Sequence, residues 1–307
     1  MVTHPQHGLT GLSLCAGYAG LDLGLHIAEP AYRTVCYVER EVHAAATLVA
    51  RMADAALDHA PIWDDLRSFD GAEWRGRIHI LSAGYPCQPF SYSGQRKGED
   101  DPRHLWPDVA RIIGEVAPEW VFLENVEGHV TLGLADVAGQ LAAMGYTAKA
   151  GLFTAREVGA SHGRRRIYIL AHANGIGQRP FAGFDISRGD HSDREIARDN
   201  TGQRRSDTVA KRDAQLDRDV DGDAGAGFPM PQSDLPFFPP GPGELSQWEG
   251  VLSKRPDLQP AILRLDDGMA DRVDRTRGAG NGVCSLAAAV AYSTLKADFE
   301  REGRAGA

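Results

Sequence analysis

Through residue 173, short apolar runs alternate with longer stretches of a different period. "GLSLC" (11–15), "RTVCYV" (33–38), "IHILSA" (78–83), "EWVFL" (119–123) and "IYILA" (167–171) read as strands, and "PIW" (61–63) adds a short one. Between them, "EVHAAATLVARMADAAL" and "LWPDVARIIGEVA" carry apolar residues at helical spacing with few breakers. This alternation predicts an α/β fold built on a doubly wound, mostly parallel sheet.

After Ala173 the pattern lapses. A tract rich in Asp, Arg and Gly holds too few apolar residues to bury a core of its own, and the Pro-rich "FPMPQSDLPFFPPGPGE" follows it. Helical spacing returns only in "SLAAAVAYSTLKADF" near the carboxyl end. We therefore divide the chain into an α/β domain (1–173), a short irregular region (174–262) and a tail that returns to the first domain (263–307).

Composition narrows the class. With 307 residues, 42% of them hydrophobic, the chain can bury a sizeable core, and no apolar run reaches the roughly 18 residues of a membrane helix. The first residues lack the basic start and small-residue cleavage site of a signal peptide, so a soluble, cytoplasmic protein is expected. Cys15, Cys36, Cys87 and Cys284 show neither CxxC nor Cys/His spacing, which points away from a metal site and a disulfide framework. A net charge of -9 argues against indiscriminate polyanion binding but permits a local basic cleft.

Two constellations suggest chemistry. Gly17, Gly20 and Gly24 follow the first strand into the first helix and suit close approach of a ligand to the backbone. Glu39 ends the second strand about twenty residues on, where a carboxylate can hold a ribose. Together they imply an adenosine-containing cofactor, nicotinamide or S-adenosylmethionine. Asp64 and Asp65 end the next strand at the same edge, as helix cap or ligand.

The second constellation surrounds Cys87. Pro86 and Pro89 fix their own φ and restrict Tyr85 and Gln88, so a stiff loop presents the sulfur at the carboxyl edge of the sheet. A reactive thiolate needs a companion acid or base. Glu124 and Asn125, in "VFLENVEGH", end the strand expected to lie beside this loop.

"PCQPFS" (86–91), "ENV" (124–126), the glycine turn and "GRRRIYIL" (163–170) resemble, in order, the motifs of the DNA cytosine-5 methyltransferases, and "GAGNGV" (278–283) is similar to that family's last motif. The resemblance implies the fold of the S-adenosylmethionine-dependent methyltransferases, with 174–262 as a small target-recognition region. It implies Cys87 as nucleophile toward cytosine C6, Glu124 as the acid at ring N3, and Arg164 and Arg166 as the guanidinium pair of the site. S-adenosyl-L-methionine would be held by Gly17, Tyr18, Gly20, Leu21, Glu39, Asp65, Leu66, Pro86 and Asn281. Double-stranded DNA, its target base flipped out, would be met by Ser91 and Gln95 on a mobile loop (91–104). A metal-free monomer serving DNA methylation, as in restriction-modification, follows by the same likeness. His162 stands where the family usually has glutamine, and Ala19 where glycine is common, so the turn must tolerate a Cβ there. Two other readings stay open: a cytosine-5 enzyme of the same family acting on RNA, and a DNA- or cofactor-binding protein without turnover.

Overall fold

The computed structural model describes residues 8–86, 105–174, 236, 238, 240, 244–256 and 282–305. Seven strands form one sheet: β1 (Leu9–Leu14), β2 (Tyr32–Val38), β3 (Ile62–Trp63), β4 (Ile80–Ala83), β5 (Trp120–Val126), β6 (Tyr146–Phe153) and β7 (Arg166–Ala173), in the order β3-β2-β1-β4-β5-β7-β6. The five strands from β3 to β5 run parallel, while β7 inserts antiparallel between β5 and β6. The order reverses between β1 and β4, which opens a crevice at their carboxyl ends where such sheets take ligands.

Helices α1 (Gly20–Ala28), α2 (Val42–Ala53), α3 (Trp106–Val116), α4 (His129–Leu132), α5 (Leu134–Ala143), α6 (Leu245–Lys254) and α7 (Ser285–Ala305), with two single 3-10 turns (Ala72–Trp74 and Arg156–Val158), complete the described elements. The Glu41 side chain caps α2 by accepting from the Ala44 N–H at 2.7 Å. Along α3, Val109, Ile112, Ile113 and Val116 recur at helical spacing and are fully buried, each contributing roughly 1.5–3 kcal/mol. They pack with Leu12, Leu14, Leu81, Leu123 and Ile169 on one sheet face. On the other face, Leu21 and Leu25 of α1 meet Ala288, Ala291, Tyr292 and Leu295 of α7.

Gly20 and Gly24 serve this helix contact. A Cβ at Gly24 would lie 2.7 Å from the Ala288 Cβ and 2.8 Å from the Ser285 carbonyl, and one at Gly20 would lie 2.7 Å from the Val283 Cβ. A packing duty thus falls on two glycines whose spacing suggested room for a ligand.

Beneath the same helix a polar knot ties three elements together. The fully buried Asp22 carboxylate accepts from Ser13 Oγ at 2.7 Å, Thr34 Oγ1 at 3.0 Å and Tyr32 Oη at 3.1 Å. Tyr32 reaches it by lying across β1, and a Cβ at Gly11 would sit 2.1 Å from the Tyr32 hydroxyl. Burial raises the Asp22 pKa and the three hydroxyls partly offset that shift.

Among the described strands, β6 is the one that the apolar runs did not predict. "YTAKAGLF" holds two alanines, a glycine and a lysine, residues poor in strand preference, and among the described residues it is an edge strand that pairs with β7 alone. Strand β5 runs three residues past the expected end, so Glu124, Asn125 and Val126 are strand residues. Among the described residues no helix is long and apolar enough to cross a membrane, and no group of three or more His, Cys, Asp or Glu could hold a metal ion.

Candidate active site at the carboxyl edge of the sheet

The turn between β1 and α1 is built from left-handed backbone. Cys15, Gly17 and Ala19 have φ of 49°, 54° and 57°. Ala19 carries its Cβ in that conformation at a cost of about 1 kcal/mol, set against packing of its methyl with Tyr37, Leu48 and Met52. Gly17 faces open space, with no atom within 4 Å of where a Cβ would stand.

Glu39 braces this turn. Its Oε2 accepts the Gly17 N–H and its Oε1 the Glu41 N–H, each at 2.7 Å, while its own N–H donates to the Trp63 carbonyl at 2.9 Å. Tyr18, half-buried, stands edge-on to His43 with ring centroids 6.3 Å apart. Asp65 is half-buried and folds its own loop, accepting from the Arg67 N–H at 3.0 Å. Leu66 turns into the core and Pro86 is exposed. Desolvation, with Glu39 and Asp108 adding to it, pushes the Cys15 thiol up to about 12, and burial takes Cys36 to about 11. Neither is a thiolate at neutral pH.

Across the switch point, β4 leads to Gly84, Tyr85 and Pro86 alongside the end of β5. A Cβ on Gly84 would lie 3.7 Å from Glu124 Oε2 and 3.9 Å from Leu21 Cδ1, so Leu21 and Glu124 border one space. Glu124 is only 8% exposed, and Arg166 Nε stands 3.2 Å from its Oε1. Burial raises its pKa from 4.5 to about 7, with Arg166 and then Arg164 pulling the other way. The carboxyl can therefore hold or release a proton near neutral pH.

The arginine run separates into three roles. Arg166 opens β7 and faces Glu124, exposed Arg165 pairs with Glu127 at 3.2 Å, and Arg164 donates through Nη2 to the Gly282 carbonyl. The last bond ties the site to the segment before α7. His162 is exposed. Asn125 donates through Nδ2 to the Tyr85 carbonyl at 3.1 Å, and Tyr85 Oη lies 3.2 Å from Nε2 of buried His129. The sequence carried a signal for these last two residues only as an aromatic two places before Cys87 and a histidine five places after Glu124.

Gly17, Tyr18 and Glu39 are thus brought together on one side of the crevice, and Glu124, Arg164 and Arg166 on the other. Gly20 abuts the segment leading into α7. Cys87, Ser91, Gln95 and Asn281 lie outside the described residues.

The model of the C-5 cytosine-specific DNA methylase family matches residues 9–216, about two thirds of the chain. The chain belongs to that family. The match takes in the glycine turn, Glu39, Glu124 and the arginine run, so both sides of the crevice fall within the C-5 cytosine-specific DNA methylase region. The type II methyltransferase M.NgoMIV of Neisseria gonorrhoeae is 34% identical over 169 residues, 54% of this chain and 52% of that protein. The type II methyltransferase M.CviJI of Paramecium bursaria Chlorella virus IL3A is 34% identical over 165 residues, 52% of this chain and 42% of the viral protein. A Spodoptera frugiperda DNMT2 crystal structure aligns with a TM-score of 0.47 and 17% identity over 60% of this chain and 56% of that one. The chain spans about half the length of the curated relatives it matches.

Proposed function

We propose that this C-5 cytosine-specific DNA methylase family member is a DNA cytosine-5 methyltransferase that modifies a cytosine flipped out of duplex DNA, using S-adenosylmethionine as methyl donor. The observation that carries the reading is the Glu124 site: a buried carboxyl with a pKa near 7, faced by Arg166 and bordered by the strand exit that leads into Pro86 and Cys87.

Carbon 5 of cytosine is a poor nucleophile. In this reading the Cys87 thiolate adds to C6, forming the S–C6 bond and pushing the C5–C6 π electrons toward C5 and the ring N3. Protonated Glu124 gives its proton to N3, and the ring then carries enamine character at C5. Arg166 and Arg164 hold the carboxylate that remains. After methylation at C5, a base takes the C5 proton, Cys87 leaves as thiolate, and N3 returns its proton to Glu124, which restores the aromatic ring.

The crevice fits an adenosine cofactor on the evidence of Gly17, whose backbone borders open space, and of Glu39 beside it. Gly17, Tyr18, Gly20, Leu21, Glu39, Asp65, Leu66, Pro86 and Asn281 would hold S-adenosylmethionine, which supplies an electrophilic methyl group when bound. Ser91 and Gln95 would meet the DNA, with the region from 174 to 262 reading its sequence and a role in restriction-modification following from that.

The test expresses the chain and its Cys87→Ser variant in a methylation-deficient bacterial host, then maps 5-methylcytosine in DNA and RNA by bisulfite sequencing. Marks in DNA that vanish with Cys87 are expected. Marks confined to RNA, or none while S-adenosylmethionine still binds, would overturn the proposal.

A further inference from the structure

Tyr85 is fixed at three points although it lies past the end of β4. Its ring lies 5.3 Å from that of Trp106, its carbonyl accepts from Asn125 Nδ2 at 3.1 Å, and its hydroxyl lies 3.2 Å from His129 Nε2. These two polar partners come from the segment that follows Glu124, Asn125 as its neighbour in β5 and His129 as the first residue of α4.

His129 is itself held. It is 3% exposed, and a Cβ at Gly133 would lie 2.7 Å from its Cε1 and 2.9 Å from its Nδ1. Burial drives its pKa down to about 4, so the ring is neutral and shares one proton with the tyrosine hydroxyl as an ordinary hydrogen bond. A neutral pair avoids placing an unpaired charge in the core. Pro86 follows Tyr85 and fixes its own φ, so these contacts hold the last two described residues before Cys87.

We propose that Tyr85 and His129 are positioning residues for the nucleophile, and that their hydrogen bond sets the register between the segment entering Cys87 and the strand end bearing Glu124. The inference rests on Cys87 being the nucleophile. Asn125 fixes the backbone at Tyr85, and the hydroxyl–imidazole bond fixes the rotation of the chain about that point. Reaction between a thiolate and a ring carbon tolerates little misplacement, since an error of about 1 Å can cost about a hundredfold in rate.

The experiment compares the parent chain with Tyr85→Phe, His129→Phe and His129→Gln. It measures kcat, KM for S-adenosylmethionine, covalent trapping by duplex DNA containing 5-fluorocytosine, and the rate of Cys87 alkylation by iodoacetamide, located by mass spectrometry. Tyr85→Phe and His129→Phe should lower kcat and the trapping rate by about tenfold or more, with KM changed less than about twofold. His129→Gln, which keeps a hydrogen-bonding group, should recover part of the loss. Unchanged kcat and trapping in Tyr85→Phe would overturn the proposal, as would a lowered melting temperature with trapping at the parent rate. If the parent neither methylates nor traps, the proposed function fails, and the alkylation rate alone decides the positioning role: equal rates in parent and Tyr85→Phe reject it, and an altered rate sustains it.

Discussion

Replacing Glu124 by glutamine should make the protein more stable relative to the parent as pH rises, while abolishing turnover. The carboxyl moves from its ordinary 4.5 to about 7 on folding, so its ionised form is about 3 kcal/mol costlier in the folded chain than in the unfolded one. Because the folded state binds the proton more tightly, the contribution is fully present below the unfolded pKa. It is lost as pH climbs toward and through the folded pKa. The influence of Arg166 and Arg164 is already contained in that value. Glutamine has no proton to lose, so variant and parent should diverge by about 2.5 kcal/mol between roughly pH 5 and pH 8.5, with the variant gaining. Urea titrations of both chains across that range, compared at equal m-values, measure the divergence directly. Curves that stay parallel across the range would refute the argument, because they would mean that burial does not hold the Glu124 proton.

Other substitutions probe separate parts of the same edge. Removing the guanidinium in Arg166→Ala should shift the falling limb of the pH–rate profile to higher pH, since a charge that lowers the Glu124 pKa is gone, and should cut kcat by about a hundredfold. Gly17→Ala should cost only about 1 kcal/mol of folding stability, from its positive φ, yet weaken S-adenosylmethionine binding measured by calorimetry. Gly24→Ala should do the reverse, losing about 1–3 kcal/mol by overpacking α1 against α7, read as a lowered urea midpoint. Asp22→Ala strands three buried hydroxyls and should cost about 3 kcal/mol or more in the same titration.

The strands that carry chemistry were legible because their signals are local. Five of the apolar runs became β1, β2, β4, β5 and β7, and Glu124 stands beside the exit of β4 as the sheet order required. Strand β6 escaped notice because edge pairing and burial, not intrinsic preference, make it a strand. The glycines show a different limit. Periodic spacing reveals that a backbone must be approached closely but not by what, and at Gly20 and Gly24 the partner is α7 and its leading segment. Asp22 went unread for the same reason, since its three hydroxyl partners lie on two strands whose alignment only the fold supplies. The Tyr85–His129 contact likewise joins residues 44 positions apart.

The packing of α1 against α7 also bears on how the protein is made. Lys296 pairs with Glu29 across 267 positions, so α1 is covered by a helix made long after it. Closing a loop of that length costs roughly 5 kcal/mol of chain entropy before the contact contributes anything. Until then Leu21 and Leu25 lack the partners that cover them in the finished fold. Nascent chains stalled ahead of α7 should recruit chaperones or aggregate, and the glycine turn should become competent only once α7 has been made.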